Sequence, residues 1–107
     1  MHNEIVEILE VLGIDLAWQE YSGNSNEYII FSIYNDEDAN YFDDESLTEI
    51  YYINITYWYE SKKNINKWKE IKKLMKSKGF IYDDGKDLKD KNLYGKSMDF
   101  IIQKETV

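Results

Sequence analysis

Asp36, Asp38 and Asn40 stand at alternate positions of one acidic stretch, the spacing at which an EF-hand loop offers its first three calcium ligands. The pattern stops there. Tyr41 occupies the place of the tight-turn glycine and Leu47 that of the bidentate glutamate, so the expectation is a charged stretch that holds no metal. Asp43, Asp44 and Glu45 are adjacent carboxylates, whereas general acid and base catalysis needs two carboxyls in contrasting environments around one pocket. Asp83, Asp84, Gly85 and Asp87 read as turn formers. With no cysteine and a single histidine, His2, thiolate and imidazole chemistry have little material to work with. The sequence contains no phosphate-binding glycine loop, nucleophile elbow or metal-ligand histidine motif. The expectation is a protein that is not an enzyme and carries neither metal nor cofactor.

These residues must be positioned by a small fold. A chain of 107 residues supports one core but not two, so one domain over residues 1–107 is expected. Residues 3–12 read as a helix capped by Asn3, with Ile5, Ile8, Leu9 and Leu12 on one face and Gly13 as its left-handed stop. Ile14, Leu16 and Trp18 alternate with polar or small residues in a first strand reaching about Tyr21, and the turn-rich residues 22–26 suggest a hairpin into a second strand, 27–34. Residues 35–46 then form a polar loop with six acids and the aromatic pair Tyr41 and Phe42. The longest alternation, 48–59, predicts the central strand. A second helix, from a cap at Asn64 to Lys78, buries Ile65, Trp68, Ile71, Leu74 and Met75 beneath a row of lysines, and Gly79 ends it. A short strand at 80–83, a charged turn region at 84–96 and a last strand at 97–104, with Met98, Phe100 and Ile102 inward, complete the order α-β-β-β-α-β-β. Helices that separate runs of strands predict an α+β fold with a mainly antiparallel sheet and both helices on one face. The opposite face would then expose Tyr28, Ile30 and Tyr34, or Tyr52 and Trp58, and an aromatic surface of that size calls for a partner.

Charge is divided along the chain. Residues 1–61 hold fourteen acids and no lysine, residues 62–107 hold thirteen lysines against seven acids, and the net charge is −8. Such asymmetry marks an interaction surface. The net sign disfavours non-specific nucleic-acid binding, and arginine, the usual bidentate phosphate ligand, is absent. No apolar run approaches the roughly 20 residues a membrane helix needs, and residues 1–13 carry three glutamates where a signal peptide would be basic and then apolar, so a cytoplasmic origin without membrane association is expected.

Read end to end, the opening helix running into LGIDLAWQEY, the strand and loop YIIFSIYNDEDANYFDDE, the strand YYINITYWYES, the helix up to LMKSKGF and the closing LYGKSMDFIIQKE resemble the tail-terminator, or tail-completion, proteins of long-tailed bacteriophages. The resemblance implies a virion structural protein at the head-proximal end of the tail. It would form a head-to-tail homo-hexameric ring that caps the tail tube and meets the head-tail connector, with DNA as passing cargo. It also assigns subunit, tube or lumen contacts to the loop that holds Asp36, Glu37, Asp38, Tyr41, Phe42, Asp43, Asp44 and Glu45. Independently of the resemblance, the lysine face with Lys69, Lys72 and Lys76 reads either as a solvated helix surface or as a basic face that meets the acidic face of a neighbour. A different class fits the acidic first half as well: a small inhibitor, either an immunity protein or a DNA mimic, acting on a basic partner.

Overall fold

Ile5, Ile8 and Leu9 recur at helical spacing, and helix α1 (His2–Leu9) forms around them with all three buried. A computed structural model describes residues 1–39 and 48–105 of the chain. Among these residues two α-helices and five strands follow one another in the order α-β-β-β-α-β-β, an α+β fold as expected. The first amide bonded into α1 is that of Ile5, to the Met1 carbonyl at 3.2 Å, so Met1 takes the cap position and Asn3 lies within the first turn instead of capping it. A 3-10 turn, Glu10–Leu12, comes next and stops at Gly13, whose φ of 69° only glycine adopts without strain.

Strand β1 (Asp15–Trp18) is shorter than expected, and it runs parallel to β2 (Glu27–Asp38), with Asp15 opposite Tyr28 and Trp18 opposite Phe31. The expected hairpin is thereby corrected. Parallel neighbours normally need a crossover of about a dozen residues or more. Here the return spans residues 19–26, and Tyr21 secures it. The Tyr21 ring stacks on Tyr28 with centroids 4.0 Å apart, while its hydroxyl donates to Asp15 at 2.6 Å and accepts from the Ser25 amide at 2.9 Å. Gly23 passes so close to the Tyr21 ring that a β-carbon there would meet the phenol. Gln19, at a φ of 66°, reverses the chain after Trp18.

Strand β3 (Thr48–Tyr59) has the expected bounds and the central place in a sheet of order β1-β2-β3-β5-β4. Three strands extend beyond expectation. β2 continues as far as Asp38 because β3 supplies pairing partners down to Glu49, and β4 (Ile81–Asp90) with β5 (Leu93–Glu105) makes a long hairpin across the region read as a turn. Asp83, Asp84, Gly85 and Asp87 therefore lie in or at a bulge of β4, an edge strand. Charges there keep the edge from pairing with other chains.

Helix α2 (Trp68–Ser77) is preceded by a 3-10 turn, Lys62–Asn64, whose cap is Ser61: its Oγ accepts from the Lys63 amide. Asn64 thus ends a turn instead of capping α2. Ile71 and Met75 of α2 join the α1 residues over Ile29, Phe31, Ile53, Ile55, Met98 and Phe100, so both helices cover the same face. Each such side chain contributes roughly 1.5–3 kcal/mol on leaving water. Among the described residues no helix is long and apolar enough to cross a membrane.

Candidate interaction face

Strand alternation decides where the acidic residues go. Ile33 and Asn35 of β2 are paired to β3 but Tyr34 is bulged out between them, which shifts the alternation of the rest of the strand. Asp36 then pairs with Tyr51 and Asp38 with Glu49 on the helix side, whereas Glu37 pairs with Ile50 on the opposite, uncovered side. The expectation of one acidic loop from Asp36 to Glu45 is corrected for its first three members, which are strand residues divided between two faces. Asn40, Tyr41, Phe42, Asp43, Asp44 and Glu45 lie outside the described residues. Among the described residues no group of three or more metal-ligating side chains occurs.

The uncovered face is built in rows set by strand register. At one end Tyr28, Trp58, Gly95 and Leu88 cross the sheet, with the Trp58 ring lying so close over Gly95 that a β-carbon would sit 2.8 Å from it. In the middle, Ser32, Asn54, Asp99 and Asp84 form a polar row, next to Ile30, Thr56, Ser97 and Lys86. The Asn54 amide donates to Ser97 Oγ at 2.7 Å and to Asp99 Oδ1 at 2.9 Å, and Thr56 donates to Asn54 Oδ1 at 2.9 Å. Beyond that row, Asn35, Tyr52, Ile101 and Ile81 carry the surface onward. Tyr34, half-exposed at 53%, leans over Tyr52 with ring centroids 6.1 Å apart, and the Tyr52 hydroxyl donates to Glu37 at 2.6 Å. Burial, together with the nearby Asp99 and Asp83 carboxylates, raises the Tyr34 phenol above its ordinary value; for Tyr52 the bond to Glu37 is the main cause of the same shift. The two alternative exposed sets expected from the sequence both lie here, on one face.

No protein-family model and no curated protein matches this chain.

The lysines of the second half divide into engaged and unengaged groups. Lys67 pairs with Glu27 at 3.0 Å, Lys104 with Glu4 at 2.8 Å and Lys96 with Asp87 at 3.6 Å. Lys96 also lies over the Trp68 ring at 4.3 Å. Lys72, expected on the free basic surface, folds back over the Tyr82 ring at 4.1 Å and is half-buried. The outward stripe of α2 is Lys69, Lys73 and Lys76, all exposed; Lys69 lies 5.9 Å from the centre of the Trp68 ring, and among the described residues none of the three is ion-paired. Lys73 joins this stripe in place of Lys72. At about 100° per residue, positions 69, 73 and 76 fall within about 60° of arc, on the side away from the buried Ile71 and Met75.

Asp83, Asp84, Asp99 and Glu37 likewise have no cationic partner among the described residues. The uncovered face therefore presents the unpaired carboxylates Glu37, Asp84 and Asp99 with tyrosines, beside Lys86, and the helix-covered face presents the unpaired lysine stripe of α2 together with Asp36 and Asp38. Tyrosine rings flanked by carboxylates receive cations well, through the ring quadrupole and through direct pairing.

Proposed function

We propose that this chain is a structural ring subunit of the phage tail-terminator kind, a homo-hexamer that closes the tail tube and joins it to the head-tail connector. DNA passes through the centre as cargo, and the protein's place is the head-proximal end of the virion tail. The observation that carries the reading is a tyrosine-rich patch of unpaired carboxylates on the uncovered face and a stripe of unpaired lysines on α2, on the opposite side of the domain. A contact between unlike faces is heterologous, and it closes into a ring when the rotation per copy fits. The end-to-end sequence resemblance supports the same reading, and carboxylates around a conduit would repel DNA phosphates and let the duplex pass. No catalytic or cofactor role is assigned to the chain.

Negative-stain electron microscopy of the purified chain at high protein concentration tests it. Closed rings with a central opening wide enough for a DNA duplex are expected; isolated single domains at every concentration would overturn it. The acidic, tyrosine-rich face also suits a small inhibitor of a basic partner, and capture of one stoichiometric basic protein by a monomeric chain would favour that reading instead.

A further inference from the structure

We infer that the α2 stripe Lys69, Lys73 and Lys76 of one copy seats across the Tyr34, Tyr52, Asp83, Asp84 and Asp99 patch on the uncovered face of the next copy. The assignment rests on the ring reading and names the contact that would build it. The dimensions agree. Seven residues of α-helix advance about 10 Å, and the patch, from Asp84 on β4 to Tyr34 on β2, crosses three strand spacings, or about 14 Å. A lysine stem spans the difference while its apolar carbons lie along the tyrosine rings. The patch also has the chemistry a lysine requires. Asp84 and Asp99 are opposite one another in register, Asp99 gives one oxygen to Asn54, and no ammonium group is paired with either among the described residues. Lys72 takes no part, because Tyr82 of its own copy already holds it.

Two charge-reversed variants test the contact. One carries Lys69→Glu, Lys73→Glu and Lys76→Glu with the patch intact; the other carries Asp83→Lys and Asp84→Lys with the stripe intact. All five positions are exposed, so both variants should keep the thermal transition of the parent chain; if the patch variant loses it, Asp83→Asn with Asp84→Asn takes its place. In sedimentation velocity at low salt each variant alone should lose self-association by about tenfold or more, and an equimolar mixture should recover it, since each supplies the half the other lacks. A control with Lys63→Glu, Lys78→Glu and Lys91→Glu makes the same charge change off the stripe and should assemble like the parent chain. Variants that assemble as the parent does, a mixture that stays apart, or a control that dissociates equally would overturn this contact and leave the ring reading standing. A parent chain that is monomeric throughout would overturn both.

Discussion

The hydroxyl of Tyr57, a fully buried residue of β3, donates to the carboxylate of Glu27 at the start of β2, and Glu27 in turn holds Lys67 from the approach to α2. Three segments are joined by one carboxylate. Partial burial of Glu27 works against its charge, but the Tyr57 bond and the Lys67 ammonium outweigh it and hold the carboxyl below its ordinary value. Burial, and then the carboxylate beside it, push the Tyr57 phenol far above its own.

Removing the hydroxyl with Tyr57→Phe leaves the ring's packing in place and takes away a bond to a charged acceptor. The expected loss is about 1–2 kcal/mol in urea unfolding, with an unchanged dependence on denaturant concentration. A variant as stable as the parent would show that water replaces the phenol at Glu27.

The same pair sets a pH signature. A carboxyl whose value is lower in the folded chain binds fewer protons there than in the unfolded chain, so its contribution is present above the ordinary carboxyl value of about 4.3 and is lost as pH falls through the folded value. Tyr57 is the opposite case: its raised value favours the folded chain up to about pH 10, and the contribution fades as the phenol ionises above that. Parent stability should therefore fall more steeply than that of Glu27→Gln on acidification below about pH 4.3. Parallel stability curves for the two proteins would exclude Glu27 from the acid limb.

Trp58 over Gly95 gives a test of the uncovered face. In Gly95→Ala the new methyl group must lift the indole off the sheet, at a cost of about 1–3 kcal/mol for overpacking. The tryptophan emission should shift to longer wavelength as the ring enters water, and an unchanged spectrum would mean that the ring was not lying on the glycine.

Tyr21→Phe keeps the stack on Tyr28 but deletes the bonds to Asp15 and Ser25. Hydrogen exchange at the β1 amides should accelerate while the β3 amides keep their protection. Equal acceleration in both strands would mean that the short parallel return has no local role.

Much of this architecture can be read from residue order, and the misreadings have physical causes. The long run of apolar and aromatic residues between Thr48 and Tyr59 is enough to bound β3, the strand at the centre of the sheet. The direction of β1 is a different matter. Alternation at Leu16 and Trp18 identifies a strand but not its sense, which depends on a left-handed Gln19 and on one tyrosine stacking across the return. Only the start of β4 reads as strand, and its residues 84–90 read as a turn because an edge strand carries the charges that protect its free edge. Asp36, Glu37 and Asp38 read as loop because their pairing is dictated by the opposite strand, not by their own propensities. The exposed face is legible as two candidate sets, Tyr28, Ile30 and Tyr34 or Tyr52 and Trp58, and pairing of β2 with β3 merges them. Which lysines stand free is not legible, since Tyr82 captures Lys72 only through the placement of β4 beside β5.

The central claim is that copies of this chain assemble head to tail through unlike charged faces. Light scattering after size exclusion, at high protein concentration and at low and moderate salt, tests it most directly. The predicted result is a particle of about six copies at low salt that loses mass as screening grows. A single-copy mass at every concentration and salt would contradict it and move the inhibitor reading ahead.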